Sequence, residues 1–219
     1  MILWIRWTAW SAACLAALAL PTPGVLGQAG TEAEAEGWKL EFSDDFDRAQ
    51  LGPNWQPVRG TWALDDGMLA ADSSAHIGCN WRFTGDVRLE YDAVTNAEEP
   101  CDLSGVLSAK LGEETSGYYF GFGGQGNALS FLIARGGIVE RSDTRIVPGK
   151  RHHVVCQREG QQITFSVDGE VIVSHVDDKP ISGPEHDRVG LAVYAPGRFD
   201  NARIYTKNDG RAIPPSTTP

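Results

Sequence analysis

Cysteine is scarce in this 219-residue sequence, which contains four, none of them in a Cys-x-x-Cys pair. No cluster of histidines accompanies them, so a structural zinc site has little support. If Cys14 is removed with the N-terminal segment described below, at most one internal disulfide can form. We predict that it joins Cys79 and Cys101, because both lie in loop-like stretches of a chain bound for an oxidising compartment. Cys156, in the apolar run HVVCQ, is predicted to be a buried small hydrophobe.

Basic residues are fewer than acidic ones: the sequence has 19 lysines and arginines and 29 aspartates and glutamates, which gives a formal net charge of −10. Removing an N-terminal segment whose one charged residue is Arg6 changes this charge to −11. Such a charge disfavours nucleic acid and anionic membrane surfaces as partners. Neutral and cationic partners remain compatible with it.

Long apolar runs are confined to the N-terminus, and the one at residues 7–20 is shorter than the 18 or more residues that a membrane-spanning helix needs. Arg6 precedes the run, and a proline break with small residues follows it. This order is typical of a secretory signal with cleavage near residues 27–29, whereas the alternative is a membrane anchor. We therefore expect a protein that does not span the membrane and is secreted, periplasmic or held in the cell envelope.

The sequence divides into four parts by composition. Residues 1–27 form the predicted signal peptide, and residues 28–36, small and acidic, form a solvated linker. Residues 37–207 form one predicted domain, and residues 208–219, rich in proline, serine and threonine, form a predicted disordered tail.

No stretch of the predicted domain repeats apolar residues at helical spacing over three turns. Short alternating runs of strand length are instead separated by glycine, aspartate and asparagine, as in DVRLEYDAV, HHVVCQRE and QQITFSVDGEVIVSHV. Asp168 and Gly169 are the residue types that a tight primed hairpin turn requires. The fold class is therefore all-β, with two antiparallel sheets packed as a β-sandwich.

Three longer stretches carry a resemblance to a known family. The first joins a DDF strand, an Asn-Trp and a Gly-x-Trp strand in FSDDFDRAQLGPNWQPVRGTWALDDGMLAA. The second has a His-x-Val strand and a Val-Asp-Gly hairpin in PGKRHHVVCQREGQQITFSVDGEVIVSH. The third ends in Phe-Asp-Asn and an alternating strand in VGLAVYAPGRFDNARIYT. Over about residues 38–206 the chain resembles the concanavalin A-like jelly-roll superfamily of lectins, laminin G-like modules and glucanases. Within it, the chain is most similar to the 3-keto-disaccharide hydrolase-like domain of secreted bacterial proteins. One departure is Arg151, where the His-x-Val strand usually opens with tryptophan.

The resemblance raises the question of catalytic carboxylates in the strand RLEYDAV. Laminarinase-type glucanases carry Glu-x-Asp-x-Glu on such a strand, and Glu90 and Asp92 match its first two acidic positions. The last position holds Val94, or Thr95 in the longer version of the motif, so the proton donor is missing and that mechanism is rejected here. The alternative is that Glu90 and Asp92, with Arg88, form a solvated charged ladder.

Further candidate residues follow from the hypothesis of an enzyme or a lectin. As a 3-keto-disaccharide hydrolase, the chain would use Glu90, Asp92, His153 and Arg135. Of the adjacent His152 and His153, only one can face the core. As a lectin, it would stack sugars on exposed rings with polar neighbours, for which the candidates are Trp81, Arg82, Tyr118 and Phe120, whereas Trp38, Trp55 and Trp62 are predicted core residues.

Several relatives in the superfamily join their first and last strands through calcium, and the resemblance implies a structural calcium site at Asp44, Asp45 and Asp200. The leading functional hypothesis is an exported jelly-roll module with carbohydrate as its partner. The alternatives are a glycoside hydrolase that acts on 3-keto-disaccharides and a laminin G-like adhesion module that binds no sugar. The sequence leaves the oligomeric state open.

Overall fold

A computed structural model describes residues 32–216, so the predicted signal peptide at residues 1–27 lies outside the described residues. The described residues form fifteen β-strands, two short helices and one turn of 3₁₀-helix. The elements are, in chain order, α1 (Glu32–Ala35), β1 (Lys39–Asp44), β2 (Trp55–Arg59), β3 (Trp62–Asp65), β4 (Met68–Ala71), β5 (Ala75–Cys79), β6 (Arg82–Val94), β7 (Ser104–Ala109), the 3₁₀ turn (Glu114–Ser116), β8 (Tyr118–Gly123), α2 (Gly124–Asn127), β9 (Leu129–Ala134), β10 (Gly137–Ser142), β11 (His152–Glu159), β12 (Gln162–Val167), β13 (Glu170–Val176), β14 (Arg188–Val193) and β15 (Gly197–Ile213).

The strands form two antiparallel sheets, which confirms the predicted β-sandwich. Sheet A has the strand order β13-β12-β11-β6-β15-β4-β3, with β1 also paired to β15. Sheet B has the order β10-β9-β8-β7-β14-β5-β2. Each sheet combines hairpins of consecutive strands with pairs of strands that are distant in sequence, such as β6 with β15 and β7 with β14, so the fold depends on both local and long-range pairing.

The core lies between the two sheets and follows from the alternation of side chains along each strand. In β6 the inward residues Val87, Leu89 and Tyr91 are at most 1% exposed, and they pack in one cluster with inward residues of sheet B. Phe120 of β8 meets Phe165 of β12 across the interface, with ring centroids 5.6 Å apart. Each fully buried aromatic or aliphatic side chain of this kind contributes about 1.5–3 kcal/mol by leaving water.

Local signals predicted several features correctly. Asp168 and Gly169 have φ angles of 53° and 83°, as a primed hairpin turn requires. The predicted core residues Trp38, Trp55 and Trp62 are all buried.

The structure between residues 32 and 216 contains no helix with the length and hydropathy of a membrane span.

The structure corrects the predicted boundaries and adds two strands. β15 continues to Ile213, six residues beyond the predicted end of the domain at residue 207, because its end pairs with the start of β6. The predicted linker contains the helical turn α1. The strand β2 was not predicted because Pro57 interrupts it, and its place at the sheet edge explains why the proline is tolerated. The strand β5 is buried along its whole length and so shows no alternation.

The predicted disulfide between Cys79 and Cys101 is wrong: in the described chain Cys79, Cys101 and Cys156 are all free thiols. Cys79 is not in a loop but ends β5, where it pairs with Trp55 and lies in the inter-sheet core. Burial raises the pKa of Cys79 to about 12 and raises that of Cys156 well above its usual value. Both are therefore unreactive thiols that pack as small hydrophobes, as predicted for Cys156.

Candidate functional site

The outer face of sheet A carries a polar groove of about 500 Å³. Five of the sheet's strands, β6, β11, β12, β13 and β15, supply side chains to it at their outward positions. The register sets these positions side by side: His153 pairs with Asp92, and Glu90 pairs with Arg203. The groove is lined by Glu36, Arg88, Glu90, His153, Val155, Gln157, Thr164, Ser166, Gly169, Val171 and Arg203.

Arg88 and Glu90 form the central ion pair of the groove floor. The guanidinium Nε of Arg88 donates to Glu90 Oε1 at 2.6 Å, and its Nη1 donates to Gln157 Oε1 at 2.9 Å. The hydroxyl of Tyr205 donates to the other oxygen of Glu90 at 3.3 Å. Glu90 is only 5% exposed, so the predicted charged ladder exists but is not fully solvated at this rung.

Residues 33–38, which precede β1, cover one side of this face. Ala33 and Trp38 pack on Tyr205 in a small buried cluster outside the main core, which explains why Tyr205 is fully buried although it points away from the other sheet. Glu36, between them in sequence, accepts from Arg88 Nη1 at 3.3 Å and forms part of the groove wall. The segment that the sequence assigns to a solvated linker therefore helps to build the site.

Arg203 differs from Arg88 because its hydrogen-bonding capacity is unused. Arg203 is half-buried and lines the groove beside its strand partner Glu90, and its guanidinium forms no hydrogen bond or ion pair with any residue in the described part of the chain. A guanidinium has five N–H donors in a fixed planar fork. The groove therefore offers a preplaced donor group to a ligand.

Asp92 and His153 form a second polar pair, at the edge of the groove. His153 Nδ1 lies 2.9 Å from Asp92 Oδ1, and Asn201 Nδ2 donates to Asp92 Oδ2 at 2.9 Å. The hydrogen bond to His153 lowers the pKa of Asp92, and the same bond is the main reason that the pKa of His153 lies above 6.5. Asp92 is therefore a carboxylate that orients and charges the imidazole.

Replacing Asp92 with asparagine is expected to lower the pKa of His153, because the bond that raises it is lost. A raised folded-state pKa stabilises the fold below the unfolded value of about 6.5, and this contribution disappears as the pH rises through the folded pKa. Two-dimensional NMR of the imidazole nitrogens, recorded from pH 5 to 9, measures the change. An unchanged His153 titration in Asp92→Asn contradicts the assignment, and Asp143→Asn, an exposed carboxylate on the other sheet's edge, is the control.

Of the adjacent His152 and His153, one was predicted to face the core, and the structure shows that it is His152. His152 is 2% exposed and packs edge-on against Phe122, with centroids 5.0 Å apart. Its Nε2 accepts from the Val147 amide at 3.1 Å, so its Nδ1 carries the proton that is shared with Asp168 at 2.9 Å. His152 is therefore structural.

Of the four predicted catalytic residues, Glu90, Asp92 and His153 lie together on this face, but Arg135 does not. Arg135 lies in the β9–β10 hairpin, where its guanidinium holds Asp177 through Nη1 at 2.9 Å and Nη2 at 3.2 Å. Asp177 also accepts from the hydroxyl of Tyr118 at 2.6 Å. The hairpin therefore places Arg135 away from the groove, and its guanidinium forms a structural ion pair with Asp177.

The predicted sugar-stacking rings are not placed for that role. Tyr118 and Phe120 are fully buried, because they point into the inter-sheet core and Tyr119 between them points outward. Trp81 is half-buried and packs on Phe42, and its Nε1 donates to Asn54 Oδ1 at 3.3 Å. Arg82 donates from Nε to Asp187 at 2.5 Å. Neither Trp81 nor Arg82 lines the groove.

The three carboxylates of the predicted calcium site do not fit a shared cation. Asp44 is buried and accepts from the Phe46 amide at 2.9 Å, from Trp55 Nε1 at 2.8 Å and from Arg48 Nη2 at 2.8 Å. Asp200 accepts from Arg151 Nη2 at 2.8 Å, and Asp45 is exposed. Within residues 32–216, no three side chains of the ligating types are grouped to hold a metal ion. The oxygens that calcium would need are already occupied by protein donors.

Sequence reasoning missed several groove residues, namely Gln157, Thr164, Ser166 and Arg203. All are outward residues of β11, β12 or β15, and their strand alternation was visible in the sequence. The missing signal was the strand order. β12 ends at Val167 and β15 begins at Gly197, and the two strands come to one surface only because β11 and β6 lie between them in the sheet.

No known family model and no curated protein matches this sequence. Solved structures match it in fold. The carbohydrate-binding module CBM66 from Bacillus subtilis is 20% identical with a TM-score of 0.57, over 70% of this chain and 96% of that one. A Bacillus subtilis protein of unknown function with a galectin-like fold is 12% identical with a TM-score of 0.61, over 81% and 99%. SCLam, a non-specific endo-β-1,3(4)-glucanase of family GH16, is 12% identical with a TM-score of 0.57, over 79% and 92%.

These similarities agree with the sequence resemblance at the level of the fold, and they do not show the 3-keto-disaccharide hydrolase-like member. At these identities the likeness concerns the backbone arrangement, so the chain has a galectin-like, concanavalin A-like jelly-roll fold.

Proposed function

We propose that this protein is an exported glycan-binding module and that the outer groove of sheet A holds the sugar chain. The observation that carries the proposal is Arg203, a half-buried guanidinium in the groove with no partner among the described residues. Vicinal hydroxyls of a sugar present two acceptors at a spacing that a guanidinium fork can bridge. A bound glycan would supply the hydrogen bonds that the protein leaves unused.

The rest of the groove suits a hydroxylated ligand. Gln157, Thr164 and Ser166 supply neutral donors and acceptors along the adjacent strands β11 and β12, and Val155 and Val171 supply apolar surface beside them. The structural neighbours support the same ligand class, since one is a carbohydrate-binding module and another is a glucanase. Export, which agrees with the N-terminal sequence, would bring the module to extracellular or envelope glycans.

The carboxylates favour binding over glycoside hydrolysis. A retaining or inverting glycosidase needs one carboxylic acid with a raised pKa to protonate the leaving oxygen. The pKa of Asp92 is lowered instead, and Glu90 is held by Arg88 and Tyr205. Val94 occupies the position where the glucanase motif places its proton donor.

One observation favours a second candidate, an enzyme that acts on 3-keto-disaccharides. His153 has 44% of its side chain exposed, lies in the groove wall, and is oriented by Asp92. A carboxylate–histidine pair is a usual arrangement for a general base or acid near neutral pH. In this candidate, His153 would move the proton and Arg203 would bind the keto oxygen.

The test of the binding proposal is a glycan array followed by calorimetry with the strongest ligand. Arg203→Ala is expected to weaken binding about tenfold or more, because it removes charged hydrogen bonds to the sugar, while the melting temperature stays close to that of the wild type. Arg141→Ala, an exposed arginine at the edge of sheet B, is the matched control and should leave affinity unchanged. Equal binding by wild type and Arg203→Ala, or no glycan bound at all, contradicts the proposal.

Product analysis with 3-keto and ordinary disaccharides separates the two candidates. If the protein is an enzyme, His153→Gln abolishes turnover while ligand binding persists, and Glu90→Gln tests the carboxylate in the same assay. Binding without turnover by the wild-type protein supports the binding module and removes the enzyme candidate.

A further inference from the structure

A second pocket, of about 280 Å³, lies on the outer face of sheet B, on the opposite side of the sandwich from the groove. Its size suits one small ligand and not an extended chain. The residues that decide its chemistry come from separate elements: Asp102, Glu114, Tyr119, Phe131 and Tyr194.

Aromatic rings form the walls of this pocket. Tyr119 and Phe131, on the adjacent strands β8 and β9, are stacked with an interplanar angle of 15° and centroids 6.1 Å apart. Tyr194, just after β14, is 51% exposed at the rim. The Phe131 ring packs directly against the backbone of Gly121 and Gly124. A Cβ atom at either glycine would come within 2.4 Å and 2.1 Å of the ring, respectively, so only glycine fits there.

The pocket also contains one buried polar group without a well-formed hydrogen bond, the Tyr119 hydroxyl. Burial is the main reason that its pKa lies well above the usual value, and a contact with the neighbouring Ser104 hydroxyl opposes part of that rise. That contact does not have hydrogen-bond geometry, and Ser104 Oγ instead donates to Asp102 Oδ1 at 3.2 Å and accepts from the Phe122 amide at 3.2 Å. A buried, unpaired hydroxyl costs free energy that a ligand can recover.

Asp102 is a buried carboxylate without a cation. It is 4% exposed, and its contacts within residues 32–216 are the Ser104 hydroxyl and the Cys101 thiol, 3.9 Å from Oδ2. Burial raises its pKa to about 6, so it is mostly ionised at neutral pH. The second acid, Glu114, is already neutralised by Arg59 at 3.0 Å and lies 3.3 Å from His76.

We propose that this pocket binds a primary organic ammonium ion attached to a compact apolar or ring-shaped body. The ammonium would donate to the Asp102 carboxylate and the Tyr119 hydroxyl, and the faces of Phe131 and Tyr194 would pack against the body and attract the cation. A neutral ligand of the same shape would leave the buried carboxylate unpaired. The strong net negative charge of the chain also favours cationic ligands over anionic ones.

The test uses two pairs of probes that differ in one group: cyclohexylamine with cyclohexanol, and glucosamine with glucose. Each is titrated into the full protein at pH 7.5 by isothermal calorimetry and by NMR. At least one amine is expected to bind about tenfold or more tightly than its alcohol partner. Asp102→Asn should abolish this preference, and Tyr119→Phe, which keeps the ring, should weaken amine binding by a few fold. The exposed Asp143→Asn is the control and should change nothing.

Each result either supports or contradicts the binding of an organic ammonium ion at Asp102. Equal binding of each amine and its alcohol, amine binding that survives in Asp102→Asn, or no amine binding at all overturns the proposal. Asp102→Asn removes a charge without adding volume, and circular dichroism with a thermal melt shows that it is folded. The proposal is independent of the glycan groove: Arg203→Ala should leave amine binding intact, and Asp102→Asn should leave glycan binding intact.

Discussion

Phe120→Ala is expected to destabilise the protein by about 3–5 kcal/mol, because it removes a fully buried ring from the contact between the sheets. The lost ring packs edge-on against Phe165, with an interplanar angle of 73°. Guanidinium unfolding followed by circular dichroism measures the change as a lower midpoint with a similar slope.

The control is Val147→Ala, since Val147 is 52% exposed in a loop and its truncation should change stability by less than about 0.5 kcal/mol. The result also separates two roles for Phe120. A variant with unchanged stability and lost sugar binding would restore the interpretation of this ring as a sugar platform and would contradict its burial.

Asp44→Ala is expected to cost about 3 kcal/mol, because it leaves the buried Nε1 of Trp55 and the guanidinium of Arg48 without their acceptor. The matched control is the adjacent Asp45→Ala, since Asp45 is exposed and accepts one local hydrogen bond, from the Asp47 amide at 3.2 Å. Asp45→Ala should change stability by less than about 0.5 kcal/mol. Thermal melts with EDTA and with calcium complete the comparison.

These measurements distinguish the ion pair from the calcium site that the sequence suggested. A calcium site at Asp44, Asp45 and Asp200 predicts that both alanine variants lose stability and that EDTA lowers the melting temperature of the wild type. The ion pair predicts that only Asp44→Ala loses stability and that EDTA leaves the melting temperature of the wild type unchanged. Equal losses in the two variants would contradict the hydrogen-bond account of Asp44.

The Asp44 pair also has a pH dependence of defined sign. Burial alone would raise the pKa of Asp44, but the hydrogen bonds from Arg48, Phe46 and Trp55 outweigh it, and the pKa lies below 3.8. The stabilisation is therefore fully present above the unfolded value and is lost as the pH falls through the folded pKa. The stability difference between wild type and Asp44→Ala should shrink in acid.

Period-two alternation was enough to place many residues correctly. It separated the apolar from the polar face of the strand RLEYDAV, required that only one of His152 and His153 face the core, and placed Asp168 and Gly169 in a tight turn. These properties are local, because an extended backbone turns each successive side chain to the opposite face.

The functional residues depended more on contacts between distant segments. Arg135 was grouped with the groove carboxylates by residue type, yet its strand order places it beside Asp177. Glu90 was predicted to be solvated, but the segment with Ala33 and Trp38 packs on Tyr205 and covers that part of the sheet. No local pattern indicates which distant segment will cover a given strand.

The amino-acid sequence settled the fold class and the facing of most strand residues, because hydropathy and turn chemistry act within a few neighbours. The strand order and the register, formed by pairing over long separations, decided which of those faces became a groove. The strand order and the register also left the guanidinium of Arg203 without a partner in the groove. On the other sheet, they buried Asp102 and the Tyr119 hydroxyl in a pocket lined by residues from separate parts of the chain. Burial and pairing of polar groups are properties of the packed sandwich, since both depend on what the rest of the chain places over them.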